Sequence, residues 1–288
     1  MRNHRMLLRT KLFSLALLSA LPSLANGQDA AGIMKRAMAA QTERLAAVDN
    51  LTVVQDMMGM EMTMYMEKRD AGGTPVLIPV SVSVGGMTNP IPQDMAQADW
   101  SNPFQEDWVE RTRLVGTEQV DGRVVQVFLI DDFSGLELPE LPGGGEGAAD
   151  FRPNSFKYFL DEEELVVRKV ELEGEALQKD GTRSPVQMTM FLQDYREVEG
   201  YLHPFSTRVM TQGVMEAADI DREELQAQLQ EIRAQLASMP EAQRAMMEGM
   251  VSAQIKQLEG MLGGGGAMEL TMTVKAIKVN AGRPGGGR

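Results

Sequence analysis

Cysteine is absent from this 288-residue chain. Its absence excludes disulfide staples, thiol catalysis and the usual cysteine-bearing zinc sites. It also removes the residue on which a bacterial lipoprotein carries its lipid. Histidine is nearly as scarce, with His4 and His203 alone. No nucleophile motif accompanies His203, so a turn histidine is the plain reading and a general base the alternative. Cations are outnumbered, 28 Lys and Arg against 41 Asp and Glu, giving a formal net charge of −13. That balance argues against nucleic acid or an anionic membrane surface held by general electrostatics. Past residue 25, no apolar run in the sequence approaches the length that spans a bilayer.

Residues 1–25 have the form of an export signal. Arg2, Arg5, Arg9 and Lys11 give a basic start, Leu12 to Leu21 an apolar stretch, and Ser23-Leu24-Ala25 a small-x-small cleavage site. The expectation is a signal peptide over 1–25, with an uncleaved anchor as the alternative. Cleavage leaves a soluble periplasmic chain, more acidic by the four cations lost, whose length suits one large domain or two small ones.

Methionine is abundant, with 23 residues, and its placement is patterned. Met58, Met60, Met62, Met64 and Met66 share one side at period two, and Glu61, Thr63 and Glu67 take the other. Such alternation signals a strand with one apolar face. Residues 51–67 are therefore expected as one long strand, bent near Gly59. Met188, Met190 and Leu192 repeat the theme, as do Met268, Leu270, Met272, Val274 and Ala276. Val76, Ile78, Val80, Val82 and Val84 form a further apolar run, in which Pro79 favours an edge or a bulge. Methionine is flexible and polarizable. These faces are either an adaptable core or the wall of a site for greasy ligands.

In order, residues 29–48 carry a helical stripe of Ile33, Met34, Met38, Leu45 and Val48. Residues 85–99 read as loop. Residues 102–114 read as a short helix bearing Trp108, beside Trp100 and Phe104; packing over a sheet end or a ring-stacking site are its two readings. Hairpins follow around Asp121-Gly122, around residues 161–164 and at Glu199-Gly200. The acidic tip Asp161 to Glu164 is read as solvated rather than as a Ca²⁺ loop, because it lacks the staggered ligands and turn glycine. Gly143-Gly144-Gly145 lacks the Lys-Ser/Thr ending of a phosphate loop and reads as linker. Residues 219–262 interrupt the strands as an inserted helical hairpin, with Leu225, Leu229, Ile232 and Leu236 on one helix and Met247, Met250 and Val251 on the other. The strands flanking it are expected to pair. Residues 281–288 read as a disordered tail.

Three segments carry a resemblance. Glu118-Gln119-Val120-Asp121-Gly122-Arg123-Val124, Phe159-Leu160-Asp161, and Asp194-Tyr195-Arg196-Glu197-Val198-Glu199-Gly200-Tyr201-Leu202-His203-Pro204-Phe205 resemble the LolA/LolB-like family of periplasmic lipoprotein carriers and outer-membrane lipoprotein-sorting proteins. The last follows that family's D-Y-R-x-V-x-G-x-x-x-P segment. The resemblance spans most of residues 29–280 apart from the hairpin, and the domain is set at 26–280. It implies an α+β fold: a strongly curved antiparallel sheet, an incomplete β-barrel, with helices covering the open side. In the carriers the hollow takes lipoprotein acyl chains. The methionine richness and the insertion depart from that pattern.

The functional expectation is a periplasmic, non-enzymatic carrier that shields lipid or lipoprotein acyl chains in a methionine-rich cavity. Its lining is expected from Met58, Met60, Met62, Met64, Met66, Val80, Val82, Met188, Met190, Leu192, Leu270, Met272 and Val274. Arg168 is expected either to hold a carbonyl or head group there or to snorkel at a rim. The helical hairpin would be a lid, and a membrane-bound donor or acceptor protein a further partner. No cofactor, metal or nucleic acid is called for. One alternative is an interaction module with a closed core and a docking seam on the hairpin. A third reading is Cu(I) held by thioethers, although same-face residues of one strand, about 6.6 Å apart, are poorly spaced for three ligands.

Overall fold

The computed structural model describes residues 30–57, 59–71, 74–84, 87–91, 106–135, 151–178, 181–213, 222–239, 255, 258–259, 262 and 268–283. The expected signal peptide, the glycine linker at 143–145 and the tail from 284 lie outside them. The elements are α1 (Ala30–Leu45), β1 (Asn50–Met57), β2 (Met60–Ala71), β3 (Thr74–Val84), β4 (Met87–Pro90), α2 (Glu106–Arg111), β5 (Arg113–Val120), β6 (Arg123–Ile130), β7 (Phe151–Asp161), β8 (Val166–Leu177), β9 (Arg183–Val198), β10 (Tyr201–Gln212), α3 (Arg222–Ser238) and β11 (Met268–Val279).

The strands form one 11-stranded sheet in the order β4-β3-β2-β1-β11-β10-β9-β8-β7-β6-β5, open at β4 and β5. Adjacent strands pair antiparallel. The chain meanders from β1 to β4 and from β5 to β10; between these runs it crosses from one edge of the sheet to the other, and β11 returns after α3 to lie between β1 and β10. The strands flanking the insertion therefore do pair. Two hairpins turn on residues that tolerate positive φ: Asp121-Gly122 at 52° and 77°, and Glu199-Gly200 at 51° and 83°. These signs match the tight turn that follows a right-handed strand twist.

The expected long strand at 51–67 is two strands. Met57 pairs with Met60, leaving a two-residue connection at 58–59. Gly59 has φ +85°, and its N–H donates to Asp56 Oδ1 at 2.8 Å. Met58 lies outside the described residues. The valine run is also broken in phase. A bulge between the pairs Tyr65–Ser81 and Met66–Pro79 leaves Val80 as the extra residue. Val82 and Val84 stay opposite Met64 and Met62, whereas Val76 and Ile78 face Arg69 and Glu67 across the other side. A second irregularity, between Val54 and Gln55 against β11, exposes Ala276 and puts Ile277 on the apolar side in its place. Within the expected loop at 85–99, Met87–Pro90 forms a short, exposed edge strand on β3. The expected helix at 102–114 is described only as α2, because Arg113 already pairs with Leu129 in β5.

α1 and α2 pack on one face of the sheet, here the inner face. Ile33, Met34, Ala37, Trp108 and Val109 meet Phe128, Ile130, Phe156, Tyr158, Leu160, Val170, Leu172, Met188 and Leu192 in one buried cluster. Trp108 is buried and sits edge-on to Phe156 at 5.2 Å, so its role is packing; Trp100 and Phe104 lie outside the described residues. The Tyr158 hydroxyl donates to Thr112 Oγ1 at 2.7 Å, and burial pushes its pKa well above the usual tyrosine value. α3 has a separate small core, in which Leu225 and Leu229 are buried with Leu258 and flanked by Ile232, Ile255 and Leu262.

The acidic tip is solvated at Glu162 and Glu163, as expected, but not at its first residue. Asp161 is 2% exposed. It accepts from Arg168 Nε and Nη2 at 3.2 and 3.1 Å, from Arg123 at 3.3 Å, and from the backbone N–H groups of Glu163 and Glu164. Arg36 reaches Glu162, and Arg44 reaches the carbonyls of Glu164 and Leu165. The turn thus ties α1 to the sheet. One residue on, Leu45 O accepts from Lys68 Nζ of β2 at 3.1 Å. The C-terminal end of α1 therefore touches β2 on one side and the β7–β8 turn on the other.

Candidate ligand-binding face

Residues directly opposite in adjacent strands project from the same face of a sheet, so register decides whether the methionine faces meet. Across β2, β1 and β11 the rows are Met66-Leu51-Val279, Met64-Val53-Ile277, Met62-Gln55-Val274 and Met60-Met57-Met272. Val82 and Val84 extend two of these rows onto β3. In the other direction Leu270 continues through Val209, Met190, Val170 and Tyr158 to Phe128. Met60, Met62, Met64, Met66, Met188, Met190, Leu192, Leu270, Met272 and Val274 therefore lie on one apolar face, the same one that α1 covers further along.

That face has two regions. Over β6 to β9 it is filled: Met188 and Leu192 are 4% and 7% exposed within the α1–α2 cluster, and Met190 packs against it. Over β2, β3 and β11 it is less closely packed, although α1 approaches β3 and its C-terminal end touches β2. Met60, Met62, Met64, Met66, Val82, Leu270, Met272 and Val274 are all partly exposed. None of them belongs to a buried cluster among the described residues. Between these flanks runs β1, with Leu51, Val53 and Gln55 buried. Gln55 Nε2 lies 4.0 Å from Met272 Sδ.

β1 is what the sequence reading missed in this region. Its apolar face uses odd numbers, and a two-residue turn switches parity, so the even-numbered methionines of β2 masked it. Asp56 and Gly59, an Asx-type turn pair, carry the local signal that locates the reversal.

Arg168 is buried and already engaged. Asp161 and Glu164 take its guanidinium, which also lies 4.8 Å from the centre of the Tyr195 ring. The Tyr195 hydroxyl donates to Val167 O at 2.6 Å. Neither a rim position nor a free hand for a ligand matches that environment; Arg168 braces the β7–β8 turn. Of the expected lid residues, Leu225 and Leu229 are buried in the α3 cluster, with Ile232 and Leu236 partly exposed. Met247, Met250 and Val251 lie outside the described residues. His203 is in β10, not in a turn, and burial pushes its pKa down to about 4. No helix among the described residues is long and apolar enough to cross a membrane.

The opposite face is polar around the methionine strands. Lys275 Nζ is 3.2 Å from Asp56 and 3.4 Å from Glu61 there. Further along, Lys169 lies 4.2 Å over Phe159, and Arg208 lies 4.5 Å over Phe191.

No known family profile matches the chain, and no curated protein matches it significantly. Solved structures do. A domain assigned to outer membrane lipoprotein sorting from Vibrio parahaemolyticus is 10% identical, with 87% of this chain and 94% of that one covered, at a TM-score of 0.36. A DUF1329 family protein from Desulfovibrio piger is 9% identical over 88% and 93%, at 0.37. A LolA superfamily protein from Nitrosomonas europaea is 8% identical over 87% and 94%, at 0.32. At such TM-scores the likeness fixes neither ligand nor partner.

Proposed function

We propose that this protein is an exported, non-enzymatic binder that shelters a hydrophobic ligand, lipid or lipoprotein acyl chains, on the less closely packed region of its inner face. The observation that carries the reading is the contrast within one face: filled by α1 and α2 over β6 to β9, partly exposed and methionine-lined over β2, β3 and β11. In a flat sheet, five strand spacings of roughly 4.8 Å would put β2 about 24 Å from β8. The end of α1 reaches both, which supports a sheet curled into a half-barrel. β1 is then the bottom of a trough whose walls are β2 and β11. Thioether side chains suit a ligand without fixed shape, and each buried acyl methylene contributes about 0.8 kcal/mol. In this reading α3 and its partner segment close over the trough, and a membrane-bound protein donates or receives the ligand.

The test is native mass spectrometry with lipid extraction on protein purified from its own periplasm, followed by titration with a fluorescent fatty acid. Met64→Glu is expected to abolish binding, and Met210→Glu on the outer face to leave it intact. Empty protein that ignores the fatty acid overturns the proposal. Retained lipid binding after deletion of 219–262, with loss of a protein partner, would assign the insertion to docking instead.

A further inference from the structure

Register places three thioethers in one transverse row. Met57 of β1 stands opposite Met60 of β2 on one side and Met272 of β11 on the other. Cβ atoms of directly opposite residues are roughly 4.5–5.5 Å apart. Each methionine adds a flexible chain ending in sulfur, so side chains from the flanking strands can lean over the central one and bring three sulfurs to one point. The spacing objection that applies along a single strand does not apply across three. All three residues are partly exposed, which leaves the row accessible. Met62, the next same-face residue of β2, stands within reach as a fourth donor. The nearby cation, Lys275, is held on the outer face by Asp56 and Glu61, away from the row.

The donor chemistry is selective. A thioether is soft and uncharged, and has no proton to lose. It favours Cu(I) and its redox-inert analogue Ag(I) over Zn²⁺, Ca²⁺ or Mg²⁺. Among the described residues no group of three or more His, Cys, Asp or Glu offers a competing site. We propose that Met57, Met60 and Met272 form a three-thioether site for a soft monovalent cation. The site sits at the turn end of the β1–β2 hairpin, while the C-terminal end of α1 touches β2 at Lys68. The inference stands on strand register and does not depend on the lipid-binding reading.

The experiment is a titration of the full chain, labelled at the methionine methyl carbons, with Ag(I), and anaerobically with Cu(I), followed by NMR. The methyl signals of Met57, Met60 and Met272 are expected to shift together and saturate at one equivalent, while those of buried Met34 and Met188 stay in place. Zn²⁺ should move none of them. The response should be the same in mildly acidic and mildly alkaline buffer, because no donor titrates. Met60→Leu and Met272→Leu, on separate strands, should each abolish the collective shift; Met66→Leu, on the same face at the far end, should preserve it. Absence of shifts overturns the proposal. So do shifts scattered over many methionines without saturation, or unchanged binding in both folded leucine variants.

Discussion

Met188→Ala and Met64→Ala delete the same atoms from the same face of one sheet, yet they should differ in cost. Met188 is 4% exposed and enclosed by the cluster that includes Trp108, Phe156 and Leu172. Its truncation loses the transfer free energy of the removed atoms and leaves a void that this aromatic-rich packing cannot close. The expected cost is about 2–5 kcal/mol. Met64 lies opposite Val53 and Val82, is partly exposed, and belongs to no buried cluster among the described residues. Its truncation loses part of the transfer free energy, with no sealed void, about 1 kcal/mol. A difference of about 2 kcal/mol is roughly a thirtyfold change in the folded-to-unfolded ratio. Urea unfolding measures it directly: the midpoint should fall much further for Met188→Ala, with the slope unchanged in both. Equal losses would mean that the methionine strands are as permanently enclosed as the α1–α2 core. The trough would then have no room for a ligand, and a closed-core interaction module would be the better account.

Asp161→Asn should destabilise the fold by about 3–5 kcal/mol, because it leaves the buried Arg168 guanidinium short of its main counter-charge; a double variant with Arg168→Met should recover part of the loss in thermal unfolding. His203 gives a pH signature. Its folded pKa is depressed to about 4 by burial, so the unfolded chain takes up the proton first, near its ordinary value of about 6.5. The penalty is absent above about pH 6.5, grows by about 1.4 kcal/mol per unit of pH below that, and is complete below about pH 4; His203→Gln should flatten this part of the pH–stability profile. Asp56, whose pKa is lowered by the Gly59 N–H and Lys275, works in the acidic range. Its contribution is present above the usual carboxylate pKa and lost as pH falls through the depressed value, so Asp56→Asn should make the hairpin turn less protected against hydrogen exchange at neutral pH.

Much of the strand pattern was legible because alternation and turn chemistry are local. Asp121-Gly122 and Glu199-Gly200 announce their hairpins, and the apolar phases of β9 and β11 follow from period two. What defeated the reading was parity. Continuous alternation through Met57–Met60 hid a chain reversal, and single-residue bulges at Val80 and beside Ala276 moved valines and isoleucines between faces without altering composition. The convergence of distant methionine faces was legible as a possibility; only the register of β11 between β1 and β10 makes it a fact of the fold. The filled and less closely packed regions of that face were not separable in the sequence, since Met188 and Met64 sit in equally alternating strands. The buried Asp161 was misjudged because its partners, Arg123 and Arg168, come from the preceding hairpin and from beyond its own turn.

The most direct measurement of the central claim is photo-crosslinking with a fatty acid that carries a diazirine on its chain, mapped by peptide sequencing. Labels concentrated on β2, β3 and β11, at Met60 to Met66, Val82 and Leu270 to Val274, are the predicted result. Labels confined to the outer face or to α3, or a failure to label the folded protein at all, would contradict it.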